Sequence, residues 1–439
     1  MRKMKDSGIE WIGEIPEDWI SCYLKNVVNI FTGNSIKDEH KQLYEDKVDA
    51  VPYISSKDID VTLQNINYDN GMWVKNDDES FKRAPKNSTL MCIEGGSAGK
   101  KIAYTNQTVC FVNKLCCFLT KSSDSKFIYY YLMSPAFTKD FYRRISGLIG
   151  GVSVGEIKKI PFVLPSKLDQ QRSIATYLDR KCSEIDTIVR NTEKSIEEYK
   201  KLKQSLITEI VTGKKRVADD GLSLSDEPRK MKDSGVEWVK QIPVEWNTIT
   251  PKVLFLQRKE KAEKGEKQLT SSQQYGIIFQ DEYMELTGTK IVTVIKDFDI
   301  LKHVEAGDFV ISMRSFQGGL EYSTNTGSIS SAYVMLIPNL KYVFPRYYRW
   351  LFKSQCYIKA LQSTSNMVRD GQAMRYSNFS QINLFLLSLE EQERIADYLD
   401  LKCSQIDKLI SEKQKLVEEM ETYKKSLIFE CVTGKREVI

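Results

Sequence analysis

The residues closest to a chemical motif are Gly95-Gly96-Ser97-Ala98-Gly99-Lys100. A phosphate loop of the form G-x-x-x-x-G-K-[ST] would need Gly where Glu94 stands and Ser or Thr where Lys101 stands, so nucleoside triphosphate binding is not expected there. Asp140 followed by Glu156-Ile157-Lys158 has the residue types of a nuclease carboxylate–lysine set. No further acidic residue stands in a matching context, so the group reads as ordinary charge. His40 and His303 are the two histidines, which leaves general acid–base chemistry with almost no candidates. The cysteine and histidine spacing suits no structural zinc. Gly95-Gly96-Ser97-Ala98-Gly99 matches G-x-S-x-G in residue types only, and there is no Asn/Asp-Pro-Pro-aromatic methyltransferase loop and no dinucleotide fingerprint. Neither a catalytic residue nor a metal ligand can be named.

What remains is suited to holding DNA. Glycine-rich stretches at Glu94–Lys101 and Arg314–Tyr322 each follow a strand-like run, and glycine lets backbone approach a ligand closely. Arg314, Ser315 and Gln317 can read base edges, Arg favouring guanine and Gln adenine. Lys100 and Lys101 suit phosphates. Arg143 and Arg144, like Arg369 and Arg375, follow aromatic helix-like stretches in loops made pliable by Gly147–Gly151 and Asp370-Gly371-Gln372. The candidate DNA-binding set is completed by Ser55, Ser56, Lys57, Gly95, Gly96, Ser97, Lys114, Arg258, Lys259, Lys290, Phe316 and Tyr322. Plain surface hairpins with solvated charges would look the same. Tyr129-Tyr130-Tyr131 and Tyr347-Tyr348-Arg349-Trp350 could stack on bases, but their helical spacing points to core packing.

Composition is that of an ordinary soluble chain, and its mildly basic charge permits a nucleic-acid partner. The 439 residues carry a net charge of +5, with 28% charged and 41% hydrophobic residues. That length implies two or three domains. The N-terminal MRKMKDSGIEW has no apolar core of a leader, and the apolar run Ile382–Leu389 is too short to cross a bilayer. Nine cysteines without a C-x-x-C pair read as reduced and mostly buried, which suits the cytoplasm.

The elements that must position these loops are duplicated. Residues 2–19 and 229–246 share 12 of 18 positions. Residues 169–217 align without a gap on 390–438. The inserts between them, 20–165 and 247–387, do not match. The expected organisation is an arm at 1–19, an insert domain at 20–165, a helix at 166–217, a linker and second arm at 218–246, a second insert domain at 247–387 and a second helix at 388–439. Each helix opens on a capping box, Ser166-x-x-Asp169 or Ser388-x-x-Glu391, and closes on Gly213 or Gly434. Ile185, Val189, Ile196, Tyr199 and Leu206, with Ile406, Ile410, Val417, Met420 and Leu427, form heptad seams. Thr192, Lys203, Lys413 and Lys424 are polar seam positions that would fix register. The simplest arrangement pairs the two helices in one antiparallel coiled coil; the alternative packs each on its own neighbouring domain. The fold expected is α+β: two mixed α/β, mostly β, domains related by a pseudo-two-fold, separated by two long helices.

At this point the whole chain resembles the specificity subunit of type I restriction–modification systems, the HsdS family. The resemblance is carried by S-G-x-E-W-[IV]-x-x-I-P-x-x-W at 7–19 and 234–246 and by Q-x-x-I-A-x-Y-L-D from Gln171 and Gln392. It continues in K-C-S-x-I-D and in V-T-G-K ending at Lys214 and Lys435. It implies that the inserts are target recognition domains, each reading one half of a bipartite, asymmetric double-stranded DNA site, and that the helices act as a ruler. It implies two modification subunits that bind S-adenosylmethionine and methylate adenine N6, and restriction subunits that use ATP and Mg. This chain would bind no cofactor, catalyse nothing itself and touch no membrane. The alternative is an orphan DNA-binding scaffold without active partners.

Overall fold

The computed structural model describes every residue except 1, 63, 148–149, 292–299, 314, 365–374 and 439. The chain forms two compact units, Met1–Glu193 with Lys415–Ile439, and Lys194–Gln414. Two helices of 44 residues, Leu168–Val211 and Leu389–Val432, pass through both.

Each unit holds a sheet of the same topology. In the first, Val28–Thr32, Leu115–Thr120, Thr89–Cys92 and Ile102–Tyr104 lie in that order, all antiparallel. In the second the order is Phe255–Arg258, Val334–Pro338, Phe309–Ile311 and Glu321–Tyr322, again antiparallel. The unmatched inserts therefore share a fold, because alternation and length, not residue identity, specify a pleated sheet. The first unit adds a sheet of Trp73–Lys75, Ala50–Ile54, Val109–Phe111 and Arg83–Ala84 with one parallel pairing. The second adds a hairpin, Leu269–Ser272 with Gly276–Phe279.

The aromatic stretch expected as one helix is two in each unit: Ser125–Met133 and Pro135–Arg143, then Pro345–Lys353 and Gln355–Ser363. Pro135 pushes Ser134 into the extended region, which ends the preceding helix. In the second unit Ser354 makes the same break, its side chain accepting from Tyr357 N. Tyr129, Tyr130, Tyr131, Tyr347 and Tyr348 are buried, so these rings are core and stack on no base.

Both inserts are closed at the neck. The incoming strand Trp19–Tyr23 pairs with the outgoing Pro161–Pro165, and Asn247–Ile249 pairs with Leu384–Leu386. The Q-x-x-I-A-x-Y-L-D motif then ties each insert to its helix. Gln171 donates to Pro165 O and accepts from Asp124 N, the cap of the aromatic helix. Gln392 donates to Leu387 O and Tyr342 O and accepts from Phe344 N. Asp179 accepts from Tyr130 and Lys126, and Asp400 from Trp350 and Arg346.

Within each unit the long helices pair antiparallel. In the first unit Lys424 meets Asp186 at 2.7 Å, and Cys431 lies by Cys182. In the second, Lys203 meets Asp407 and Lys413 sits 5.6 Å over the Tyr199 ring. Asp186 and Asp407 are repeat equivalents, as are Lys203 and Lys424, so one ion pair occurs twice with the copies exchanged. All ten hydrophobic seam residues are buried or half-buried. Burial pushes the Cys182 and Cys403 thiols up to about 11, which keeps them protonated.

The arms close on the helix ends. Gly213 and Gly434 have φ of +72° and +73°. A Cβ on Gly213 would lie 2.4 Å from Pro243, and one on Gly434 2.4 Å from Pro16, with Trp246 and Trp19 next in each case. V-T-G-K thus ends a helix and seats the Ile-Pro-x-x-Trp arm, which explains why the two motifs occur together.

One charged cluster in the second unit has a consequence for pH. His303 Nδ1 is 2.7 Å from Glu266 and Nε2 is 2.9 Å from Glu305. Burial works against the imidazolium, but both carboxylates outweigh it and hold its pKa above the ordinary value. Its stabilisation is therefore complete below about pH 6.5 and is lost as pH rises through the higher folded-state pKa. The melting temperature of the second unit should fall as pH rises across that range, and more steeply than in His303→Gln. Parallel melting curves in calorimetry would contradict this.

Candidate nucleic-acid interface

In the first unit the loop Glu94–Lys101 hangs between two strands of the main sheet. Ala98 N bonds Gly95 O and Gly99 N bonds Cys92 O. A Cβ at Gly99, whose φ is +72°, would come 2.9 Å from Phe141, so the turn needs glycine. Three other segments are tied to this loop. Gly95 N bonds Gly150 O, Ile93 N bonds Lys114 O, and Lys101 Nζ bonds Ser56 O at 2.6 Å. The result is a groove of about 510 Å³ lined by Thr32, Glu94, Asn113, Ser146 and Ser153 among others. Gly95, Gly96, Ser97 and Lys100 are not part of its lining, although they follow Glu94 in the same loop; Lys57, Lys100, Lys114 and Arg143 are exposed cations. Arg143 also lies 5.3 Å over the Trp11 ring.

Three candidates here have other duties. Arg144 is ion-paired to Asp140 at 3.0 Å and Glu156 at 2.8 Å, so it staples the helix to the following loop and does not track a phosphate. The same pairs occupy both carboxylates of the nuclease-like set. Lys101 is half-buried on a carbonyl, and Ser55 closes a turn onto Asp58 at 2.6 Å.

In the second unit the corresponding loop carries the short helix Ser315–Gly318. Ser315 is fully buried, its Oγ accepting from Ser312 N, and reads no base. Phe316 is half-buried against the core and Tyr322 packs 5.1 Å from Phe309. Arg258 is not a loop cation: it forms two hydrogen bonds, at 2.6 and 3.0 Å, to Asp308, which is 1% exposed, and it also meets Glu260. Those hydrogen bonds raise its pKa. Gln317, Lys259, Lys290 and Arg375 are exposed. Arg314 and Arg369 lie outside the described residues.

Gln317 lines a cleft of about 660 Å³ together with residues that the sequence reading passed over, chiefly Gln273, Gln274 and Tyr275 at the hairpin tip. Lys259, Lys290 and Arg375 are not part of its lining. The signal was present as a polar run, Ser-Ser-Gln-Gln-Tyr-Gly, between two short apolar stretches. Among the described residues, no group of His, Cys, Asp and Glu could hold a metal ion, and no helix is long and apolar enough to cross a membrane.

The arrangement is one of polar, partly cationic loops mounted on duplicated sheets and tied to long helices, which defines an α+β protein of two similar units. Residues 16–198 match the family model of the type I restriction modification DNA specificity domain. The fold is similar over 96% of this chain, and 99% of the other, to a chain solved in a study of complex assembly and conformational transition of the type I R-M system, with a TM-score of 0.70 and 14% identity. It is also similar to the HsdS subunit from Thermoanaerobacter tengcongensis, with 96% and 98% covered, a TM-score of 0.53 and 14% identity. Residues 16–198 are thus similar to a type I restriction modification DNA specificity domain, and the chain shares the fold of the HsdS subunit over 96% of its length.

Proposed function

We propose that this chain binds a bipartite, asymmetric double-stranded DNA target, one half-site per recognition domain, and brings methyltransferase and restriction subunits to it in the cytoplasm. The observation that carries the reading is one sheet topology, occurring twice, with different loops on it: identical loops would read a palindrome, whereas Glu94–Lys101 in one insert and Arg314–Tyr322 in the other differ in sequence. Phosphate contacts from exposed lysines supply affinity and base-edge contacts supply sequence. Helices of 44 residues extend about 66 Å at about 1.5 Å per residue, more than the ~34 Å between half-sites one DNA turn apart. S-adenosylmethionine, ATP and Mg would be held by the partner subunits, with this chain placing the chemistry.

The test is a genome-wide map of methylated adenines made by the chain with its modification subunits. One bipartite motif is expected. Replacing residues 247–387 with the insert of another family member should change one half of that motif and leave the other. Both halves changing would break the modular reading.

Two copies of one partner also have an equivalent place to bind. In the first unit Ile188 and Tyr423 are exposed beside the Asp186–Lys424 pair; in the second, Leu409 and Leu202 are exposed beside Asp407–Lys203. Ile188 and Leu409 are repeat equivalents, as are Leu202 and Tyr423, so each unit offers the same apolar pair. Leu202→Asp with Leu409→Asp should reduce the complex from two methyltransferase subunits per chain to one by native mass spectrometry. Retention of two would place the docking surface elsewhere.

A further inference from the structure

The cleft of the second unit is built from amide side chains. Gln273 and Gln274 are exposed at the tip of the Leu269–Phe279 hairpin, and Gln317 is exposed on the short helix facing it. A Cβ on Gly318 would fall 2.7 Å from Gln273 Nε2, so Gln273 lies across that helix beside Gln317, and glycine is what admits it. On the far wall, Gln204 Oε1 is buried without a hydrogen-bond partner, and a buried acceptor left so is costly. Two cations of the lining are committed, Lys203 to Asp407 and Lys353 to Glu321. Arg349 is exposed at the rim, stacked 5.8 Å over Trp350.

We propose that this cleft reads adenine in the second half-site, with Gln273 and Gln317 presenting carboxamides to the base edge and Arg349 meeting a phosphate. The inference rests on the DNA-specificity reading above and names the residues that carry it in this domain. A carboxamide offers one donor and one acceptor side by side, which matches the N7 acceptor and N6 amine of adenine in the major groove. A free adenine nucleotide would present the same edge, so the test separates the two sources.

Methylation is mapped for the full complex with wild-type chain, with Gln273→Ala plus Gln317→Ala, and with Arg349→Ala. The double variant should lose about tenfold to a hundredfold discrimination at one A·T position of the second half-site and none in the first. Arg349→Ala should lower methylation of all sites alike. Both altered glutamines are exposed, so the melting temperature of the purified variant should match wild type, which confirms that it is folded. A wild-type second half-site without an A·T pair, or an unchanged motif in the folded double variant, overturns the proposal. So does adenosine monophosphate raising the melting temperature of wild type but not of the double variant, since that assigns the cleft to free nucleotide. A wild-type map without a bipartite motif is a different failure, that of the specificity reading itself.

Discussion

Arg258→Ala should destabilise the second unit by about 3–5 kcal/mol, because it leaves a charge buried without its partner. Asp308 is 1% exposed and its carboxylate is held by two hydrogen bonds from that guanidinium. Asp308 Oδ2 also accepts from Glu305 N, so the pair fixes the turn that leads into Phe309–Ile311, a central strand of the sheet. Urea unfolding followed by tryptophan fluorescence would show the midpoint fall. Lys259→Ala, one residue away and exposed, should leave the midpoint in place. Replacing both partners by apolar residues, Arg258→Met with Asp308→Leu, should recover much of the loss, as no lone charge remains. If Arg258→Ala unfolds like wild type and loses only DNA affinity, this arginine is a contact residue after all.

The second large effect separates two tryptophans that the sequence presents as equivalent. Trp246 is fully buried, donates to Glu391 at 3.0 Å and lies 5.2 Å under Arg229, which itself pairs with Glu391. Trp19 is equally buried, but its Nε1 has no hydrogen-bond partner. The position equivalent to Glu391 is Gln170 in the first copy. Trp246→Ala should cost about 3–5 kcal/mol and Trp19→Ala a similar packing loss. The phenylalanine variants isolate the hydrogen bond. Trp246→Phe should cost about 1.5–3 kcal/mol more than Trp19→Phe, since only the first removes a bond to a charged group. Equal midpoints for the two in chemical denaturation would refute the distinction.

The framework was legible because it is written twice. Ile185, Ile406 and their heptad partners form seams whichever copy is read, and Gly213 and Gly434 mark helix ends by the backbone angle that only glycine adopts freely. The loops were less legible for a physical reason. An arginine's role depends on which carboxylate the fold brings near it, and Asp308 lies 50 residues from Arg258. Arg144 was closer to readable, since Asp140 is one helical turn before it. The Gln273 hairpin was missed because its strands are four residues long and weakly alternating, and its neighbour Gln317 comes from a different segment. The break in each aromatic helix was signalled by Pro135 in one copy; Ser354, a cap without a proline, gave no equivalent sign.

The two helix ends differ in how their arms reach them in sequence. The first long helix ends against Pro243 and Trp246, residues that follow it in sequence. The second ends against Pro16 and Trp19, which come far before it in sequence, and Lys435 Nζ reaches the Glu14 carbonyl at 2.6 Å. The same noncovalent joint is thus bridged by peptide in one unit and left open in the other. A reading frame that began in the 218–228 linker and joined residue 438 to residue 2 through a segment of similar length would exchange which joint is covalent. Every packing partner described above would be kept. Such a rearranged chain should therefore melt like the original, because the packing at both helix ends is unchanged.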